Sequence, residues 1–134
     1  MYKKISIESK VTSIRIVERA IDEATSELGI SQDNYGKILI SILEGVNNAI
    51  LHGNKSDPLK MVDIEFFCEK KDFIITITDE GKGFAPEEVP DPTISENREE
   101  LNGRGVFLMS KLADKIRYSK KGNSVTLVFK NLII

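Results

Sequence analysis

Three short stretches of this sequence carry residue types that could do chemistry together. The first pairs the carboxylate of Glu44 with the carboxamide of Asn48. Residues at i and i+4 project from the same face of a helix, about one turn apart. A carboxamide oxygen suits Mg²⁺, and a nearby carboxylate can orient or deprotonate an attacking hydroxyl. The alternative is that both side chains only satisfy buried backbone groups at the edge of a sheet.

The second stretch, DEGKGF over residues 79–84, follows a predicted strand. The carboxylate of Asp79 accepts hydrogen bonds only, so it can recognise an exocyclic amine such as that of adenine. Gly81 and Gly83 carry no side chain, and a flat ring can therefore approach their backbone. The alternative is a strand end that runs into a flexible turn.

In the third stretch, Gly103, Arg104 and Gly105 open a predicted helix. Backbone N–H groups and the helix dipole favour an anion at such a position. The guanidinium of Arg104 adds a forked donor for phosphate oxygens. An ordinary glycine-rich entry into a helix is the alternative. The sequence contains no G-x-x-x-x-G-K-[ST], no G-x-G-x-x-G after a strand and no H-x-x-x-H pair.

The segment from Ser31 to Gly53 must position the first stretch, and it predicts one long helix. Between Ile38 and Leu51, Glu44 is the only charged residue. Polar or small residues recur within this apolar segment at the spacing of one helical stripe. The stripe consists of Ser41, Glu44, Gly45, Asn48 and His52. A carboxylate and an amide held against a core indicate a polar pocket rather than a face in bulk water.

The remaining elements follow from hydrophobic periodicity. Strands are predicted over residues 3–8, 60–69, 73–79, 115–119 and 124–130. An amphipathic helix runs from about residue 14 to residue 28, and another helix is predicted over 103–113. The hairpins indicate an α+β, two-layer sandwich, a mostly antiparallel sheet with the helices on one face.

The predicted third strand, residues 73–79, delivers Asp79 to its end. Alternation places Asp79 on the same face as Phe73, Ile75 and Ile77. Regular patterning then stops from Glu80 to residue 102. Irregular segments of this length in compact domains are usually functional lids or disordered.

Composition narrows the classes of function. The chain of 134 residues fits one domain, residues 1–134, and its net charge of −2 indicates neither a nucleic-acid partner nor an anionic membrane. The single cysteine, Cys68, excludes an internal disulfide framework. No apolar run of about 18 residues and no signal-peptide pattern is present, so we expect a cytoplasmic protein.

In order, the motifs E-x-x-x-N, D-x-G-x-G-F and G-x-G resemble the three boxes of the GHKL ATPases. The segments EGVNNAILHGNKSDP, DEGKGFAPEEVPDPT and NGRGVFLMSKLAD are most similar to the anti-sigma factor serine/threonine kinases of the RsbW and SpoIIAB group. The resemblance covers nearly the whole chain and implies the fold of the histidine-kinase-like ATPases. About 30 residues without a histidine precede the long helix, which disfavours a complete histidine kinase.

The resemblance implies a role for each matching position. Glu44 corresponds to the catalytic base, Asn48 to the Mg²⁺ ligand and Asp79 to the residue that binds the adenine amine. Asn123 stands where many members have a threonine that supports this aspartate. The other implied nucleotide-binding residues are Asn54, Lys55, Gly81, Gly83, Phe84, Gly103, Arg104, Gly105, Val106 and Phe107, with a flexible ATP lid over about 84–102.

The implied function is that of a serine/threonine kinase that uses ATP and Mg²⁺. Its implied partners are an anti-anti-sigma (STAS) protein as phosphoryl acceptor and a sigma factor that it sequesters. A homodimer formed through the first strand and helix is also implied. Two alternatives stay open: an ATP-dependent binding switch with little kinase activity, and a histidine-kinase-like ATPase domain that acts in trans.

Overall fold

The computed structural model describes residues 1–81, 109, 111–119, 121 and 123–133. Five strands are present: β1 (Tyr2–Glu8), β2 (Met61–Glu69), β3 (Asp72–Thr78), β4 (Lys115–Tyr118) and β5 (Ser124–Phe129). Two helices lie between β1 and β2: α1 (Ile14–Glu27) and α2 (Gln32–Asn48). The predicted lid and most of the predicted helix over 103–113 lie outside the described residues, although Met109, Lys111 and Leu112 are helical.

The strands form one antiparallel sheet in the order β1-β2-β3-β5-β4. A tight turn joins β2 to β3, with Glu69 opposite Asp72. β1 and β4 are the outer strands of this sheet. The predicted α+β class with a mostly antiparallel sheet is therefore confirmed.

Alternating residues of the strands face the helices, as their periodicity predicts. Phe66 on β2 and Phe73 on β3 are fully buried, and their rings stack with centroids 6.1 Å apart. Fully burying one such aromatic side chain stabilises the fold by about 1.5–3 kcal/mol. The helices cover this face with the buried side chains of Val17, Ile21, Ala24, Ile38, Ile42 and Val46.

The connection between the helices follows from local backbone chemistry. Gly29 has φ 70°, in the left-handed region that glycine adopts without steric cost, and it ends α1 as predicted. The hydroxyl of Ser31 accepts a hydrogen bond from the backbone N–H of Asn34 and caps α2. The hydroxyl of Tyr35 donates to the carboxylate of Asp22 and ties α2 to α1.

The end of the long helix departs from the prediction. The regular α-helix stops at Asn48, and one π-helical turn, Ala49–Gly53, completes the segment that the sequence predicts as a single helix. In this turn the N–H of Asn54 bonds to the carbonyl of Ala49, five residues back, at 2.8 Å. Such turns insert one residue into a helix and are frequent at functional sites.

Candidate functional site

The predicted polar stripe of α2 divides into two rows. Ser41 and Gly45 are buried, and the hydroxyl of Ser41 donates to the carbonyl of Lys37 at 2.8 Å. A Cβ atom on Gly45 would lie 2.6 Å from Cδ1 of Ile77, so α2 lies close to β3 here and a larger residue would displace the Ile77 side chain. The second row is less buried than the first, and only that row can contact a ligand.

Glu44 and Asn48 form this second row, and both are half-buried. Neither side chain has a hydrogen-bond partner among the described residues. If Glu44 and Asn48 only satisfied buried backbone groups, their side chains would bond to those groups. The described residues show no such bonds and give this alternative no support. His52, one turn further on, is exposed.

The π-helical turn brings Gly53 directly against Asp79, the residue that follows β3. A Cβ atom on Gly53 would collide with the Asp79 carboxylate, 2.8 Å from Oδ1 and closer still to Oδ2. Gly81 approaches equally closely, because a Cβ atom there would collide with the carbonyl of Gly53. The two glycines therefore form a cradle around the carboxylate that any larger residue would fill.

The Asp79 carboxylate is half-buried within this cradle. Its Oδ1 accepts a hydrogen bond of 2.7 Å from the backbone N–H of Gly81. Burial raises the pKa of Asp79, while the Gly81 bond and the charges of Lys121 and Lys60 oppose this rise. Asp79 Oδ2, by contrast, is given no hydrogen bond by the described residues. A partly desolvated carboxylate with one open oxygen is suited to accept an N–H from a ligand.

Asn123, the residue before β5, holds the backbone of Asp79. The N–H of Asp79 donates to the carbonyl of Asn123 at 2.9 Å, and Nδ2 of Asn123 donates to the carbonyl of Asp79 at 2.9 Å. The sequence suggests that Asn123 replaces a supporting threonine. In the structure its side chain contacts the backbone of the aspartate rather than the carboxylate.

Asn54 is almost completely buried, with 1% of its surface exposed. Its Nδ2 donates to Ser9 Oγ at 2.9 Å and to the carbonyl of Met61 at 3.0 Å. Its Oδ1 accepts the backbone N–H of Glu80 at 2.7 Å. Both amide hydrogens and the oxygen are thus engaged with protein groups, whereas the resemblance implies a contact with the nucleotide.

Ser9 is a member of this site that the sequence did not single out. It is buried at the end of β1, and its hydroxyl donates to the carbonyl of Lys60 at 2.6 Å. A serine after a short strand gives no signal in the sequence, because its partners come from segments about 50 residues away. Lys55, also predicted to bind nucleotide, is exposed and has φ 51°.

Several predicted site residues lie outside the described part of the chain. They are Gly83, Phe84, Gly103, Arg104, Gly105, Val106 and Phe107. Their expected contacts with the base and the phosphates therefore stay predictions. The residues that the structure does bring together are Gly53, Asn54, Asp79, Gly81 and Asn123, at the end of the helix that carries Glu44 and Asn48.

The described residues fit a nucleotide with its Mg²⁺ ion. The glycine cradle leaves room beside a carboxylate that can accept a hydrogen bond, and the Asn48 amide is unengaged within the described part. The same residues contain no group of three His, Cys, Asp or Glu side chains able to hold a metal alone. This donor set suits Mg²⁺, which takes one or two protein ligands and completes its shell with phosphates and water.

A family model and individual relatives of this chain point to the same protein family. Residues 7–129 match the family model of the histidine kinase-like ATPase domain. An anti-sigma F factor of Anoxybacillus flavithermus is 32% identical over 105 residues, covering 77% of this chain and 72% of that protein. The serine-protein kinase RsbW of Bacillus licheniformis is 26% identical over 125 residues, 87% and 76% of the two chains.

A solved structure shows the same fold. The RsbU and RsbW domains of Rv1364c from Mycobacterium tuberculosis align with a TM-score of 0.70 at 16% identity. The alignment covers 96% of this chain and 31% of that one, so the chain spans about a third of the solved protein. Among the described residues, no helix is both long and apolar enough to cross a membrane. The family model and the anti-sigma F factor relative together confirm the resemblance to the GHKL anti-sigma kinase group.

Proposed function

Because the chain belongs to the family of histidine kinase-like ATPase domains, we propose that it is an anti-sigma factor kinase. It binds Mg·ATP and transfers the γ-phosphoryl group to a serine or threonine of a STAS-type anti-anti-sigma protein. In the absence of an available STAS partner it sequesters a sigma factor. The names of two relatives, anti-sigma F factor and serine-protein kinase, support the binding of a sigma factor and the kinase activity.

One observation carries the proposal: the helix of Glu44 and Asn48 ends against the Asp79 carboxylate. Asn48 precedes Gly53 by five residues and Glu44 precedes it by nine. At the α-helical rise of about 1.5 Å per residue, which is an upper limit for the π-helical turn, these residues lie at most about 7.5 Å and about 13.5 Å along the helix from the cradle. A nucleotide with its base at Asp79 therefore directs its phosphates toward Asn48 and then Glu44.

In this orientation Asp79 Oδ2 accepts a hydrogen bond from the 6-amino group of adenine. Asn48 would hold Mg²⁺, which would neutralise charge on the phosphate oxygens. Glu44 accepts the proton of the acceptor hydroxyl. The hydroxyl oxygen at the same time bonds to the γ-phosphorus. The bond from that phosphorus to the β–γ bridging oxygen breaks, and ADP leaves.

Phosphoryl transfer tests the enzymatic half of the proposal. The protein is incubated with Mg·ATP and a STAS protein from the same organism, and the phosphorylated residue is mapped. We expect an acid-stable phosphoserine or phosphothreonine. Glu44→Gln, which keeps the shape of the side chain, should lower the transfer rate by about 10²- to 10⁴-fold while ATP still binds.

The other results of this experiment separate the alternatives. Acid-labile phosphate on the partner indicates a histidine-kinase-like activity in trans. ATP-dependent partner binding without transfer indicates a binding switch. Retention of sigma-factor binding by Glu44→Gln is expected, and a pull-down of the sigma factor in the presence of ATP measures it.

We also infer that the protein is a homodimer that uses β1 and α1. β1 is an outer strand of the described sheet, so one of its edges is open to a second strand. Val11 and Ile16, in the segment that follows β1, are 70% and 54% exposed, and two exposed apolar side chains five residues apart suit a protein–protein interface. Sedimentation equilibrium should give a dimer, and Val11→Asp with Ile16→Asp should shift it toward a monomer.

A further inference from the structure

We propose that Asn54 is a positioning residue for the recognition of the adenine base, acting through the backbone of Glu80. This inference rests on the proposed function, because it assumes that Asp79 binds the base. Asn54 itself does not touch the nucleotide. It fixes the segment that carries the Asp79 carboxylate and the Gly81 N–H.

The geometry of the Asn54 amide supports this role. Its oxygen accepts the N–H of Glu80, the residue directly after Asp79, at 2.7 Å. The two hydrogens of its nitrogen are directed to Ser9 Oγ and to the carbonyl of Met61. An amide that uses both donors and its acceptor at 1% exposure is fixed in one orientation, because any rotation leaves buried polar groups unpaired.

The Glu80 side chain closes the network. Its carboxylate accepts the N–H of Met61 at 2.5 Å, while the carbonyl of Met61 accepts from Asn54. Asn54, Met61 and Glu80 therefore form a ring of hydrogen bonds that joins the start of β2 to the segment after β3. Ser9 extends this ring to the end of β1.

This ring supplies a support that Asn123 cannot give. Asn123 holds the backbone N–H and the carbonyl of Asp79 from the β5 side. Without Asn54, the peptide unit between Asp79 and Glu80 would be held on one side only. The bond from Gly81 to Asp79 Oδ1 depends on the path of this peptide, and so does the direction of the free carboxylate oxygen.

The test measures base discrimination rather than stability. Affinities for ATP and for purine riboside triphosphate, which lacks the 6-amino group, are compared in wild type and in Asn54→Ala. We expect wild type to prefer ATP and the ratio to fall by about tenfold in Asn54→Ala, the size of one hydrogen bond to a charged group. Thr25→Ala is the matched control, because Thr25 is also buried and bonded to a backbone carbonyl, far along the chain on α1.

A merely structural role for Asn54 makes a different prediction. Asn54→Ala and Thr25→Ala would then both lower the unfolding temperature and leave the ratio unchanged, which overturns the inference. A wild type without preference for ATP instead refutes the proposed adenine site. If Asn54→Ala does not fold, Asn54→Ser replaces it.

Amide hydrogen exchange gives a readout that needs no variant. In the wild-type protein the Glu80 N–H should be strongly protected, because its acceptor is a buried amide oxygen. Exchange of this amide at the rate of an unstructured peptide would overturn the inference.

Discussion

Replacement of Asp79 by asparagine separates the two effects of its burial, one on nucleotide binding and one on stability. The variant keeps an oxygen for the Gly81 N–H, and its NH₂ group takes the place of Oδ2. Two donors then face each other where adenine presents its amine. A hydrogen bond to a charged group contributes about 1.5–3 kcal/mol, so ATP affinity should fall roughly 10- to 150-fold.

The same variant should favour a base with an acceptor at position 6. Inosine triphosphate presents an oxygen there, which can accept from the new NH₂ group. Titration calorimetry with ATP and inosine triphosphate measures both affinities, and Asp33→Asn on the exposed first turn of α2 is the matched control. An unchanged ratio of the two affinities in Asp79→Asn would show that this carboxylate does not contact the base.

Without nucleotide, the Asp79→Asn substitution should raise the stability of the protein, although it lowers the affinity for ATP. Burial raises the pKa of Asp79 above its ordinary value, so the folded state binds a proton more readily than the unfolded state. Stability from this group is therefore full at acidic pH and is lost as the pH rises through the raised pKa. At pH 7 Asp79→Asn should unfold at a higher temperature than wild type. This difference in unfolding temperature should shrink when the pH falls below the ordinary pKa of an Asp side chain. A lower unfolding temperature at pH 7 would contradict the assigned effect of burial.

Four further substitutions test other parts of the site and the fold. Gly81→Ala drives a methyl group into the carbonyl of Gly53 and toward Asp79 Oδ1, so ATP affinity should fall by about tenfold or more in a binding titration. Asn48→Ala should weaken ATP binding in the presence of Mg²⁺ but not in the presence of EDTA, and an equal loss in both would speak against a metal ligand. Gly36→Ala has open space around the new methyl group and should stabilise the protein by about 0.5–1 kcal/mol. Gly45→Leu would crowd the Ile77 side chain and should destabilise the protein by about 1–3 kcal/mol. Denaturant titration measures both changes.

The fold was predictable because its main signals are local. Period-two alternation identified all five strands and placed residues such as Ile75 and Leu127 toward the helices, where both are fully buried. Ser31 and Gly29 marked the boundary between the helices through capping and a left-handed backbone. The π-helical turn left no such signal, because it depends on how the end of α2 meets Asp79 rather than on residue preference.

The sequence predicted which residues lie at the site better than it predicted the contacts that they make. Asp79 and Gly81 lie together as the motif suggests, at the end of the helix of Glu44. Asn54 and Asn123 were picked out, yet their amides bond to backbone groups contributed by other segments. Ser9 was missed for the same reason. Spacing along one chain cannot show a partner that lies 45 residues away.

The sheet order also has a consequence for folding. β2 and β3 are neighbours in sequence and meet in a short hairpin, whereas β1 and β5 must close long loops before they pair. Loop closure costs entropy before contacts repay it, so we expect the hairpin to form early. The Asp79 segment is held by bonds from residues 26 and 44 positions away, so we expect it to become ordered late, after the long loops have closed. A nucleotide bound there should therefore slow unfolding and leave the folding rate almost unchanged.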